Sequence, residues 1–134
     1  MSQTENSFVG QFSQTTEDEE LDIYEPGEDY RAYGISRKSF GGEPALCFIF
    51  KSGKQQAKPW SQLDDILYEP GKSLTITFIN QVAILKGRNL ETLYGQLVRQ
   101  RVLFIVESDR AAEMKVEDDD AIVTEIEMSD RVSG

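Results

Sequence analysis

The sequence contains no histidine. That absence removes the commonest general base, the usual imidazole metal ligand and every histidine-based catalytic triad. A single cysteine, Cys47, is present, so the chain can build neither an internal disulfide nor a cysteine-based zinc site. Its neighbours in Ala45-Leu46-Cys47-Phe48-Ile49-Phe50 are apolar. A reactive thiol needs an electropositive, accessible setting, so Cys47 reads as an inert core residue. No apolar run approaches the roughly 20 residues of a membrane-spanning helix. Residues 1–7 lack both the basic and the apolar region of a secretion signal. The expectation is a soluble, cytoplasmic chain with no transmembrane segment.

Phosphate-cradling loops are also missing. Gly41-Gly42 and Gly87 have neither the spacing nor the following Lys-Ser/Thr of such a loop. Asp64 and Asp65 are adjacent, but neighbours on a strand face opposite ways and the pair lacks a third ligand. The run Glu117-Asp118-Asp119-Asp120 has no glycine and no spaced oxygen ligands, and reads as solvated charge. No Ser, Thr or Lys sits in a nucleophile context. No catalytic, metal-binding or cofactor-binding residue is therefore assigned, no cofactor is expected, and a non-enzyme is the expectation.

What the chain does have is a division of charge. Residues 1–28 carry eight acidic side chains and no basic one. Residues 29–106 carry eleven basic against six acidic, and residues 107–134 ten acidic against three basic. The overall net charge of -10 hides this alternation. Residues 1–28 hold too little apolar surface to offset the entropy of ordering, which predicts an acidic, disordered tail. The expected organisation is that tail, a single β-rich domain over 29–107, and a second acidic tail over 108–134 with a possible strand at 121–128.

Within the domain, alternation and turn residues predict strands over 30–38, 44–51, 54–58, 65–69, 73–78, 82–86 and 102–106. Leu74, Ile76 and Phe78 share one face, and Ser73, Thr75 and Thr77 the other. Asn80-Gln81 reads as the turn between the two strands that flank it. Ser61 and Asp64 have the spacing of a capping box for one helical turn. An amphipathic helix is predicted from Asn89, as N-cap, to Gln100. Its apolar stripe is Leu90, Leu93, Tyr94, Leu97 and Val98, with Glu91 in the first turn and Arg99 and Arg101 at its end. The fold class is α+β: an antiparallel sheet or partly open β-barrel of about six or seven strands with one helix packed on it.

The stretch from Trp60-Ser61 through two alternating strands to Asn89-Leu90-Glu91-Thr92-Leu93 and Val98 resembles the late part of pleckstrin-homology-like domains. It covers about a third of the chain. The strand over 102–106 departs from that pattern, because it follows the helix. The resemblance implies a fold and no particular activity.

Two sets of residues are candidates for binding. The first is apolar and strand-like within acidic surroundings: Leu21, Ile23 and Tyr24 near the N-terminus, and Ile122, Val123, Ile126 and Met128 near the C-terminus. The C-terminal segment reads equally as a strand of the same fold or as a docking motif for a sheet edge. The second set is basic: Lys51, Lys54, Lys58, Lys86, Arg88, Arg99 and Arg101. These would hold an anion if they converged; otherwise Lys on an edge hairpin serves to block aggregation. The leading expectation is thus an interaction or adaptor domain for a protein partner or a second copy, docking through sheet edge and tails. The alternative is a binder of nucleic acid or anionic lipid headgroups, autoinhibited by its own acidic tails. A carboxylate–metal enzyme carries the least weight.

Overall fold

The computed structural model describes residues 30–36, 45–109 and 119–131. The predicted N-terminal tail, with Leu21, Ile23 and Tyr24, the Gly41-Gly42 turn and Glu117-Asp118 lie outside the described residues. Eight strands, one α-helix and one 3₁₀ turn are formed among those described: β1 (Tyr33–Ile35), β2 (Ala45–Ile49), β3 (Gln55–Pro59), a 3₁₀ turn (Trp60–Gln62), β4 (Leu63–Glu69), β5 (Ser73–Phe78), β6 (Gln81–Arg88), α1 (Glu91–Val98), β7 (Val102–Val106) and β8 (Ile122–Asp130). The fold is α+β. Its strands form two four-stranded sheets, ordered β1-β7-β2-β3 and β4-β5-β6-β8, and they do not close into a barrel. The pairing is antiparallel throughout except that β7 runs parallel to β2.

Side-chain alternation explains how the two sheets meet. Leu74, Ile76 and Phe78 of β5 are fully buried, as are Ala83 and Leu85 of β6 and Leu46 and Phe48 of β2. These inward rows share one core with Leu93 and Leu97 of α1, Ile105 of β7, and Val123 and Ile126 of β8. Phe48 from one sheet meets Phe78 from the other edge-on, with centroids 6.3 Å apart, a favourable geometry for ring quadrupoles.

The segment after residue 121 is a strand of this fold. β8 pairs with β6 from Gln81↔Asp130 to Arg88↔Ile122, with a shift of register beside Gly87. A Cβ on Gly87 would lie 1.8 Å from the carbonyl oxygen of Ile122. Only glycine allows the two backbones to approach so closely there.

Three local expectations are corrected. Asn89 is not the helix cap: it adopts φ 57, and its side-chain Nδ2 donates to the Asp120 carbonyl at 2.9 Å. Leu90 occupies the cap position instead, without a side-chain bond. The turn at Trp60–Gln62 likewise has Pro59 at its cap, and Asp64 pairs with Arg131 at 2.7 Å. In both cases tertiary partners outbid a local capping bond worth about 1 kcal/mol. Val98, the last helical residue, is 56% exposed and lies outside the buried stripe.

Candidate interaction surface

The C-terminal apolar residues serve the domain's own core. Ile122, Val123 and Ile126 are buried and Met128 packs against the core from its edge. β8 is an edge strand, but the first half of its outer edge is sealed. The Tyr30 hydroxyl donates to the Val106 carbonyl and accepts from the Val123 N–H, both at 2.9 Å. Ser108 N–H donates to the Val123 carbonyl at 2.8 Å. The buried Glu107 carboxylate accepts from Lys51 N–H through one oxygen and from Ile126 N–H through the other, each at 3.0 Å. Residues at the end of β7 thus stitch one sheet to the other.

The basic residues are not brought together. Lys51 and Lys54 lie at the β2–β3 turn, with the Lys54 ammonium 5.6 Å from the Phe50 ring centroid. Arg99 and Arg101 lie before the start of β7. Because β7 runs parallel to β2, the two groups sit beyond opposite ends of one sheet, separated by more than the roughly 16 Å of a five-residue strand. Arg99 donates to the Gly95 carbonyl and Arg101 to the Ser36 carbonyl. Lys86 and Arg88 are exposed near the end of β6 in the other sheet. Lys58 lies on β3, an edge strand as expected, but its side chain does not guard that edge. It pairs with Leu46 and faces inward, only 6% exposed. Its ammonium donates to Asn80 Oδ1 at 2.9 Å and Gln81 Oε1 at 3.1 Å, above the Phe78 ring at 5.6 Å.

Cys47 is half-buried on the outward side of its sheet, and burial pushes its thiol up from the ordinary range. A cleft of about 300 Å³ opens near Tyr30, Phe50, Lys51 and Glu107. Glu107 has both oxygens engaged by backbone donors there. Among the described residues no group of three His, Cys, Asp or Glu side chains could hold a metal. Nor is any described helix long and apolar enough to cross a membrane.

The outward face of the β4-β5-β6-β8 sheet has a different character. Register places Leu67, Thr75, Ile84 and Glu127 in one row across the four strands, and Asp65, Thr77, Val82 and Ser129 in the next. Glu69 opposite Ser73, and Lys86 opposite Glu125, continue the face beyond. Its centre, on β5 and β6, is made of threonine and branched aliphatic side chains. Its sides carry Asp65 and Glu69 on β4, and Glu125 and Glu127 on β8. Leu67 is 50% exposed, and among the described residues no strand or helix packs over this face.

The sequence pointed to part of this surface. Thr75 and Thr77 were legible as an outward row from the plain alternation of β5. Val82-Ala83-Ile84-Leu85 is apolar on both parities, so no pattern revealed that Val82 and Ile84 face out. No protein-family model, no curated protein and no solved structure matches the chain.

Proposed function

We propose that this chain is a non-enzymatic protein-interaction domain that engages its partner through the outward face of the β4-β5-β6-β8 sheet. The observation that carries this reading is the face itself: four strands wide, with an aliphatic and threonine centre, a half-exposed Leu67, and no covering layer among the described residues. A sheet normally buries one face and solvates the other with polar side chains. Here the solvated face keeps Val82 and Ile84 in its middle and Leu67 beside them on β4, the composition of a contact patch with a polar rim. The dispersal of the cations supports this reading over an anion-binding one. Lys58, Arg99 and Arg101 are engaged within the fold, and Lys51 and Lys54 stand at the far end of a sheet from the arginines.

A photo-crosslinking residue placed at Thr75 tests the proposal, with the same residue at Gln55 on the other sheet as control. A discrete adduct from Thr75, absent from Gln55 and lost on adding Leu67→Glu, is the expected result. Adducts of equal yield from both positions would reject the assignment of the face.

A further inference from the structure

The same face has a charge arrangement that selects among partners. Asp65, Glu125 and Glu127 are exposed and Glu69 is half-exposed, all on the outward parity. Among the described residues the ion pair present is Arg131 with Asp64, so none of these four carboxylates is neutralised. Lys86, opposite Glu125, is the one cation in the paired rows of the face among the described residues. The acids occupy the two outer strands, while β5 and β6 between them carry no acid on this face and the single cation Lys86. With strands about 4.8 Å apart, the acidic margins lie about 14 Å from each other, wide enough to seat a helix roughly 10–12 Å across.

Resting on the interaction reading above, we infer that the partner is a basic amphipathic helix. It lies along β5 and β6, its apolar stripe on Leu67, Thr75, Val82 and Ile84, its lysines or arginines reaching the carboxylates on β4 and β8. This is the helix-in-groove mode of recognition, with charge fixing register and choice of partner. A second copy of the chain is disfavoured as occupant, because two such faces would oppose like charges, and each copy carries a net charge of -10.

The test uses the full chain, isotope-labelled, and three synthetic helical peptides with the same leucine stripe, flanked by lysine, by glutamine or by glutamate. The lysine-flanked peptide is expected to shift the amide resonances of Leu67, Thr75, Ile84 and Glu127, with affinity falling as salt rises. Reversing two face acids, Glu125→Lys with Glu127→Lys, should weaken it about tenfold or more. Asp109→Lys with Asp119→Lys makes the same change in net charge outside that face and should alter affinity by less than about twofold. Equal losses in both double variants would reduce the binding to bulk attraction and overturn the inference. So would shifts mapping to another surface. If the glutamine-flanked peptide binds this face as tightly, the basic partner is wrong while the interaction face stands. A concentration-dependent dimer abolished by Leu67→Glu would replace the basic helix with a second copy.

Discussion

Glu107 offers the sharpest test of how the two sheets are held together. The residue is 8% exposed, and its carboxylate receives two backbone N–H groups on separate oxygens, from Lys51 and from Ile126. The two donors are not equivalent. Ile126 N–H is buried, whereas Lys51 N–H is part-buried and can turn to water. Glu107→Gln keeps the shape and one carbonyl oxygen, which will go to the donor that has no alternative, Ile126. Hydrogen bonds to a charged acceptor contribute about 1.5–3 kcal/mol and neutral ones about 0.5–1.5, so losing the charge at Ile126 costs about 1 kcal/mol. Losing the Lys51 bond adds about 1 kcal/mol more. The sum is about 2 kcal/mol, or roughly 8–16 °C in melting temperature for a domain of this size. Glu107→Ala leaves the Ile126 N–H buried without an acceptor and should cost about 3–4 kcal/mol. Urea unfolding followed by circular dichroism gives the energies, and amide exchange gives the site. Exchange at Ile126 should stay slow in the Gln variant and become fast in the Ala variant, while Lys51 accelerates in both. A Gln variant within about 0.5 kcal/mol of wild type would refute the latch.

Other consequences follow from the same structure. Gly87→Ala forces a methyl onto the Ile122 carbonyl, 1.8 Å from where it would stand, and should cost at least about 2 kcal/mol in urea unfolding as β8 is pushed off β6. Lys58 is a buried ammonium with neutral acceptors and no carboxylate in contact among the described residues. Lys58→Met should therefore change stability by less than about 1 kcal/mol, since relief of desolvation offsets the lost bonds. Lys58→Glu sets a carboxylate against the Asn80 and Gln81 oxygens and should cost more than about 3 kcal/mol in the same assay. Cys47, its thiol pushed up by burial, should react with iodoacetamide more slowly than free cysteine at pH 8. Its rate should keep rising with pH after that of free cysteine has levelled off; a faster reaction at neutral pH would contradict this setting.

Much of the fold was legible because local pattern and tertiary environment agree. β5 alternates cleanly between Leu74, Ile76, Phe78 and Ser73, Thr75, Thr77, and it packs as that pattern reads. Leu90, Leu93 and Leu97 share a helical stripe and are buried. Signals failed where a residue has a strong local use and a better distant one. Asn89 bonds to Asp120, 31 positions away, in place of capping its helix. Lys58 does sit on an edge strand, but nothing local records that its parity matches the buried Leu46 across the hairpin, so its inward direction was hidden.

The amino-acid sequence alone determined the absence of histidine chemistry, the α+β class and the inward rows of the core, since composition and side-chain period are local properties. Tertiary structure alone decided what the charge blocks mean. β8 comes from the acidic C-terminal block, yet it pairs with β6 of the basic block and delivers Glu125 and Glu127 to a face they share with Asp65 and Glu69. Those acids are about 60 positions apart in the chain. Only the register of four strands, set by which residues must be buried on the opposite face, places them along the two margins of one surface.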